Sequence, residues 1–234
     1  MVEDIYYHKS RKFSSAAAVI CIRVPWVNSP ECYNCVNFSR GCCIVREALY
    51  TRHAISIKRE VIMILYVVRH AEAVEESDAL QDEWRYLTEK GRSSARKMSS
   101  LVAMTGPKPR LTITSPLARA VQTAEIFAEK ACRRNVIVAS PLLLPDADVA
   151  DLASYLKGCT DAKRVMLVGH EPQLGLLVAH LLARENSTTP LKKGACVALK
   201  YDRQNDEKPA SFLWYLVPGK SRTTSFKKAF PQQK

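Results

Sequence analysis

The chain has 234 residues, 47% apolar and 25% charged, with a formal net charge of +12. That balance excludes a wholly disordered polyelectrolyte, and no apolar run approaches the length of a membrane span. The basicity is mostly terminal: residues 1–62 carry nine Lys/Arg against five Asp/Glu, residues 218–234 five against none, and residues 63–217 only 21 against 18. No aromatic-interleaved basic stripe marks a nucleic-acid reader, so neither nucleic acid nor membrane is an expected partner.

Residues 1–62 lack helical or strand periodicity and hold five of the eight cysteines: Cys21, Cys32, Cys35, Cys42 and Cys43. Cys32-x-x-Cys35 with Cys42-Cys43 has some zinc-ligand character, but a second C-x-x-C or a histidine pair is missing, and adjacent cysteines suit one metal poorly. The short apolar stretch from Ser14 to Ile22 follows Glu3 and Asp4 and ends at Arg23, which is a poor secretory signal. Residues 1–62 therefore read as a cysteine-containing extension, disordered or outside the natively translated protein. Cys132, Cys159 and Cys196 are scattered and read as reduced thiols of a cytoplasmic protein.

The first core element is the run Val61-Ile62-Met63-Ile64-Leu65-Tyr66-Val67-Val68, a strand over 62–68 buried on both faces. It hands over to Arg69-His70, two groups that are costly to bury without a charged partner. A helix over about 88–103 follows, with Thr88-Glu89 as its start and Gly106-Pro107 closing the unit. A strand at 111–114 leads through Ser115-Pro116 into a helix over 117–131, with Ser115 as the expected N-cap and Arg119 in the first turns. Then come a strand at 136–139, a helix at 149–157 and a strand at 164–168. Gly169-His170-Glu171-Pro172 opens a helix over 173–184, with Leu181 and Leu182 on its buried face. Strands at 195–200 and 211–217, joined by a polar loop, form a hairpin-like edge. The basic tail, residues 219–234, is expected to be disordered.

Alternating strands and helices predict a three-layer α/β/α domain over 63–218, with a mostly parallel central sheet and helices on both faces. In such sheets ligands bind at the carboxyl ends of the strands. Three strand-to-helix junctions put Arg69, His70, Arg119 and His170 at that end, which describes an anion pocket.

These segments resemble the histidine phosphatase superfamily, the phosphoglycerate-mutase-like proteins, and within it the SixA-type phosphohistidine phosphatases. The matching pieces are Val68-Arg69-His70-Ala71-Glu72-Ala73, Leu87-Thr88-Glu89-Lys90-Gly91-Arg92, Thr114-Ser115-Pro116-Leu117-Ala118-Arg119-Ala120 with Gln122-Thr123-Ala124, and Val168-Gly169-His170-Glu171-Pro172. The likeness runs from about Met63 to Pro218. Each motif is weak alone, but their order and spacing together are specific. Ala71 departs from the glycine most of the superfamily has there, although SixA-like members accept it.

The resemblance implies that His70 is a covalent phosphoryl acceptor while Arg69, Arg119 and His170 bind the phosphoryl oxygens, without metal or other cofactor. The residue chemistry fits this: a guanidinium bonds two oxygens at once and stays charged, and a neutral imidazole is a competent nucleophile near pH 7. Candidate general acids are Glu72, Asp146 and Asp148. Helix N-capping is the competing reading for the two aspartates, and a solvated loop carboxylate for Glu72. Three functions compete: a phosphohistidine phosphatase acting on a protein of the histidine phosphotransfer type, a small-molecule phosphomonoesterase, and an inactive phosphate-binding module. The intact pocket counts against the third. A monomer is expected.

Overall fold

A computed structural model of the chain describes residues 20–21, 62–78, 80–132, 136–158, 162–184, 189–203 and 208–231. In chain order the strands are β1 (Ile20–Cys21), β2 (Ile62–Arg69), β3 (Leu111–Thr114), β4 (Ile137–Ala139), β5 (Arg164–Gly169), β6 (Cys196–Asp202) and β7 (Ser211–Leu216). The α-helices are α1 (Glu89–Thr105), α2 (Ala118–Ala131), α3 (Val149–Gly158), α4 (Gln173–Leu181) and α5 (Phe226–Ala229).

The strands form one sheet in the order β1-β4-β3-β5-β2-β6-β7. Its heart, β4-β3-β5-β2, is parallel, while β6, β7 and β1 join antiparallel. The α/β class and the covered, mostly parallel centre are as expected, with the last two strands as an antiparallel edge.

Strand β2 shows why both faces must be covered. Met63, Leu65 and Val67 enter one apolar cluster with Leu152, Leu156, Leu174 and Leu177 of α3 and α4. Tyr66 and Val68 enter the other with Ala95, Met98, Ala124 and Phe127 of α1 and α2. Alternation along a strand sends neighbours to opposite faces, so a continuous apolar run needs a helical layer on each side.

Three expectations change. Helix α2 begins at Ala118, with Leu117 at the cap position and no side-chain cap. Ser115 is therefore not its N-cap. It accepts locally from the Leu117 N–H at 3.3 Å and is otherwise turned to a tertiary partner. Helix α4 stops at Leu181, where Leu182 and the positive φ of Ala183 (50°) turn the chain.

The third change concerns residues 219–231, which are not a disordered tail. Thr223 bridges to Tyr215, and α5 sets Phe226 and Phe230 four residues apart on one face. Phe230 is 4% exposed and stacks on Tyr215 at 4.9 Å. Buried aromatic area outweighs the neighbouring lysines, which stay in solvent.

Upstream, Ile20–Cys21 pairs antiparallel with β4, so the extension contributes an edge strand to this sheet. Cys32, Cys35, Cys42, Cys43 and Cys159 lie outside the described residues, whereas Cys132 and Cys196 are buried free thiols.

Candidate active site

The site is built at the carboxyl ends of β2, β3 and β5. Arg69 is the last residue of β2 and pairs with Gly169, and the His70 N–H donates to the Gly169 carbonyl at 3.0 Å. The Ser115 N–H donates to Val168 at 2.9 Å, which ties the end of β3 to β5. Sheet register therefore fixes where His70, Ser115 and His170 emerge. His70 and His170 have ring centroids 5.0 Å apart.

The loop carrying His70 is held from three sides. The Ala71 N–H donates to Thr123 Oγ1 at 3.1 Å, and that hydroxyl donates to the Arg119 carbonyl at 2.7 Å. The Gly194 N–H lies 3.1 and 3.0 Å from the carbonyls of Arg69 and His70. Its φ of +73° is one that side chains rarely adopt. On the far side, the Thr88 N–H donates to the Glu72 carbonyl at 3.0 Å. Thr88 Oγ1 also caps α1 by accepting from Gly91. Gln122 accepts from the Leu87 N–H at 2.8 Å. The Thr88, Gly91, Gln122 and Thr123 positions of the sequence motifs are thus scaffold for the loop that carries His70.

The ionisable groups are buried and tuned. His70 Nδ1 lies 2.8 Å from the Ala71 carbonyl, a geometry that places its proton on Nδ1 and leaves the Nε2 lone pair outward. Burial lowers its pKa to about 4; the bond to Ala71 opposes this, while Arg119, Arg69 and Lys193 add to the fall. His170 Nε2 bonds to Ser115 Oγ at 2.9 Å. Burial again leads in lowering its pKa, to about 3, with His70 and Arg119 adding and Asp82 opposing. Both imidazoles are thus neutral at pH 7. Arg69 donates through Nη1 to the Leu191 carbonyl at 2.8 Å, and Arg119 is 5% exposed.

Glu171 lies within electrostatic reach of Arg69. Burial raises its carboxyl to about 7, opposed by the Leu191 N–H, the Arg69 charge and the Gly175 N–H. It therefore links the loop at Leu191 to the start of α4 and faces the arginine that Leu191 also holds.

The structure brings Arg69, His70, Arg119 and His170 together but gives two of the three candidate acids other partners. Glu72 pairs with Lys90 at 3.0 Å. Asp148 accepts from the Ala150 N–H at 2.6 Å at the start of α3, the capping alternative. Asp146 is exposed nearby. The carboxylate on the pocket's arginine is instead Asp82, in a short 3-10 helix (Asp82–Trp84) that sequence reading missed. Its Oδ2 accepts from Arg119 Nη2 at 2.9 Å, its backbone carbonyl accepts from Nη1 at 2.6 Å, and its Oδ1 accepts from Arg85 Nη1 at 2.9 Å. Burial works to raise its pKa, but the bonds from Arg119 and Arg85 outweigh that and hold the carboxyl below its usual value. The sequence signal was Asp82-x-x-Arg85, an acid and a base at helical spacing ahead of Leu87-Thr88.

Among the described residues no cluster of His, Cys, Asp and Glu forms a metal-binding group, and no helix is long and apolar enough to cross a membrane.

Residues 65–141 match the family model "Histidine phosphatase superfamily (branch 1)". An uncharacterized protein of Picosynechococcus sp. is 35% identical over 116 residues, which cover 48% of this chain and 69% of that protein. The protein histidine phosphatase SixA, solved in complex with tungstate, is 26% identical with a TM-score of 0.58, covering 67% of this chain and 97% of that one. A structure assigned to SixA from Agrobacterium tumefaciens shares the fold at 24% identity and a TM-score of 0.57, covering 67% of this chain and 99% of the other. The chain belongs to the histidine phosphatase superfamily, branch 1.

Proposed function

We propose that this protein hydrolyses phosphohistidine on a protein through a covalent phosphoryl intermediate on His70. The observation that carries the reading is the hydrogen bond from His70 Nδ1 to the Ala71 carbonyl. It supports the reading because a proton held on Nδ1 leaves Nε2 unprotonated, with Arg69, Arg119 and His170 close to the ring. In the first step His70 Nε2 forms a bond to phosphorus as the bond to the substrate's ring nitrogen breaks; that ring, already protonated from solvent on its other nitrogen, takes back the electron pair and leaves as a neutral imidazole. Water then attacks phosphorus, the His70–phosphorus bond breaks, and inorganic phosphate departs. Arg69 and Arg119 bear the charge that develops on the equatorial oxygens, which is most of what such a transfer requires.

Two observations favour phosphohistidine over an alkyl phosphate. Asp82 is held ionised by two guanidiniums, so it is poorly suited to protonate a leaving alkoxide. The likeness to a protein histidine phosphatase at 26% identity points the same way. The test is turnover of a histidine-phosphorylated phosphotransfer domain against a panel of phosphomonoesters, with and without EDTA, by the wild type and His70→Ala. The phosphoprotein should be preferred, EDTA should be without effect, and acid-labile phosphate should be trapped on wild-type protein only. Preference for a phosphomonoester would overturn the substrate assignment, and full activity of His70→Ala would overturn the covalent route.

A further inference from the structure

Beside the phosphoryl pocket lies an open groove of about 390 Å³ lined by Glu83, Trp84, Pro116, Ala118, Val121 and Glu125. It is continuous with the site through the chain itself. Glu83 follows the Asp82 that holds Arg119, Pro116 follows the Ser115 that bonds His170, and Ala118 precedes Arg119. Trp84 is 67% exposed here. Trp is enriched at interfaces because it pairs a large apolar area with a polar N–H, and here it stands beside the apolar Pro116 and Val121. The charge is also opposite to that of the molecule. In a chain of net charge +12, the rim of this groove carries two exposed carboxylates, Glu83 and Glu125.

We propose that this groove docks the segment of the substrate protein flanking its phosphohistidine, and that it selects an apolar side chain accompanied by a Lys or Arg. The inference rests on the phosphohistidine reading above. Trp84, Pro116 and Val121 supply the apolar wall, and Glu83 with Glu125 supply the partner for the cation. The division of labour follows from placement: Arg69 and Arg119 bind the phosphoryl group whatever carries it, while the groove distinguishes carriers. Its size falls within the roughly 300–1,000 Å³ of ordinary ligand pockets, which is room for side chains rather than a whole domain face.

The experiment compares two synthetic peptides, each phosphorylated on a central histidine, one flanked by Leu and Arg and the other by Gly and Asp. Phosphate release is followed for the full chain, for Trp84→Ala and for Glu125→Gln. The wild type should prefer the Leu/Arg peptide by about 10-fold or more in kcat/KM, mostly through KM, as expected for a pocket contact plus a charge pair. Both variants should shrink that preference while turning over the Gly/Asp peptide as the wild type does, which also reports that they fold. Equal use of both peptides by the wild type, or a preference that survives both substitutions, would overturn the docking proposal and leave the phosphohistidine reading intact. Hydrolysis of phosphomonoesters but of neither peptide would overturn that reading and the docking proposal with it.

Discussion

Asp82 takes both outer corners of the Arg119 guanidinium, one with its carboxylate at 2.9 Å and one with its own backbone carbonyl at 2.6 Å. An arginine so held cannot swing, and its remaining N–H groups are offered in a fixed orientation. Positioning of this kind is what phosphoryl transfer asks of the protein. Asp82→Ala should lower kcat/KM by about 10-fold, the scale of a misplaced rather than a missing donor. Asp82→Asn keeps an acceptor but removes a negative charge beside an anion site, so inorganic phosphate should inhibit this variant more strongly than the wild type. Steady-state kinetics with phosphate as inhibitor check both, and an unchanged Ala variant would show that the anchor is idle.

In the proposed roles, Arg119→Lys and Arg69→Lys should each lose about 100-fold in kcat/KM, because a point charge cannot reproduce a planar fork that would bond protein on one side and phosphoryl oxygens on the other. The two need not fail alike. Arg69 is tied to Leu191 by a single bond, whereas Arg119 is pinned by Asp82 at two. Full activity in either Lys variant would mean that net charge alone matters.

The parallel heart of the sheet was legible because β2 and β5 are apolar runs flanked by ionisable junctions, and strand periodicity is a local property. The cationic pocket was legible for the same reason: Arg69 ends β2, His70 and His170 directly follow β2 and β5, and Arg119 lies in the first turn of the helix after β3. Asp82 was not. It lies in a polar loop without periodicity, and its partner Arg119 is 37 residues away. Ser115 was misread because Ser-Pro ahead of a helix is a strong local cap signal, while its bond to His170 spans 55 residues. The tail shows the converse failure, in which its lysines signalled disorder although Phe226 and Phe230 form an apolar face.

The pH behaviour separates two buried groups. In the proposed route His70 must be neutral to attack, and since its pKa is lowered to about 4, kcat/KM should not fall through the ordinary imidazole range near 6.5. An acid limb at about 6.5 that tracks the enzyme rather than the substrate would contradict the buried, neutral His70. Glu171 is shifted the other way, from 4.5 to about 7. Its protonated form is favoured in the folded state, so the stability it contributes is full below about pH 4.5 and is lost as pH rises through 7. Glu171→Gln, neutral at every pH, should therefore gain stability relative to the wild type between pH 5 and pH 8. Urea midpoints at the two pH values measure this, and a constant difference between the two proteins would show that Glu171 does not titrate in that window.

Gly91 sets how closely α1 can approach the loop after His70. A Cβ built there would lie 2.0 Å from the Glu72 carbonyl oxygen and 2.9 Å from its carbon, both backbone atoms that no rotamer change can move aside. Gly91→Ala must therefore push α1 away from residues 71–73. That would break the bond from the Thr88 N–H to the Glu72 carbonyl, which holds the loop. The expected cost is about 2–3 kcal/mol, at the upper end for overpacking a tight contact. Activity should fall as well, because the same loop carries the Ala71 carbonyl that fixes the His70 ring. A helix normally gains from replacing Gly with Ala by about 0.5–1 kcal/mol. A variant more stable than the wild type in urea would therefore show that the approach of α1 to Glu72 is looser than the structure has it. Parallel losses of stability and of kcat/KM would tie the glycine of Leu87-Thr88-Glu89-Lys90-Gly91 to the proposed nucleophile, His70.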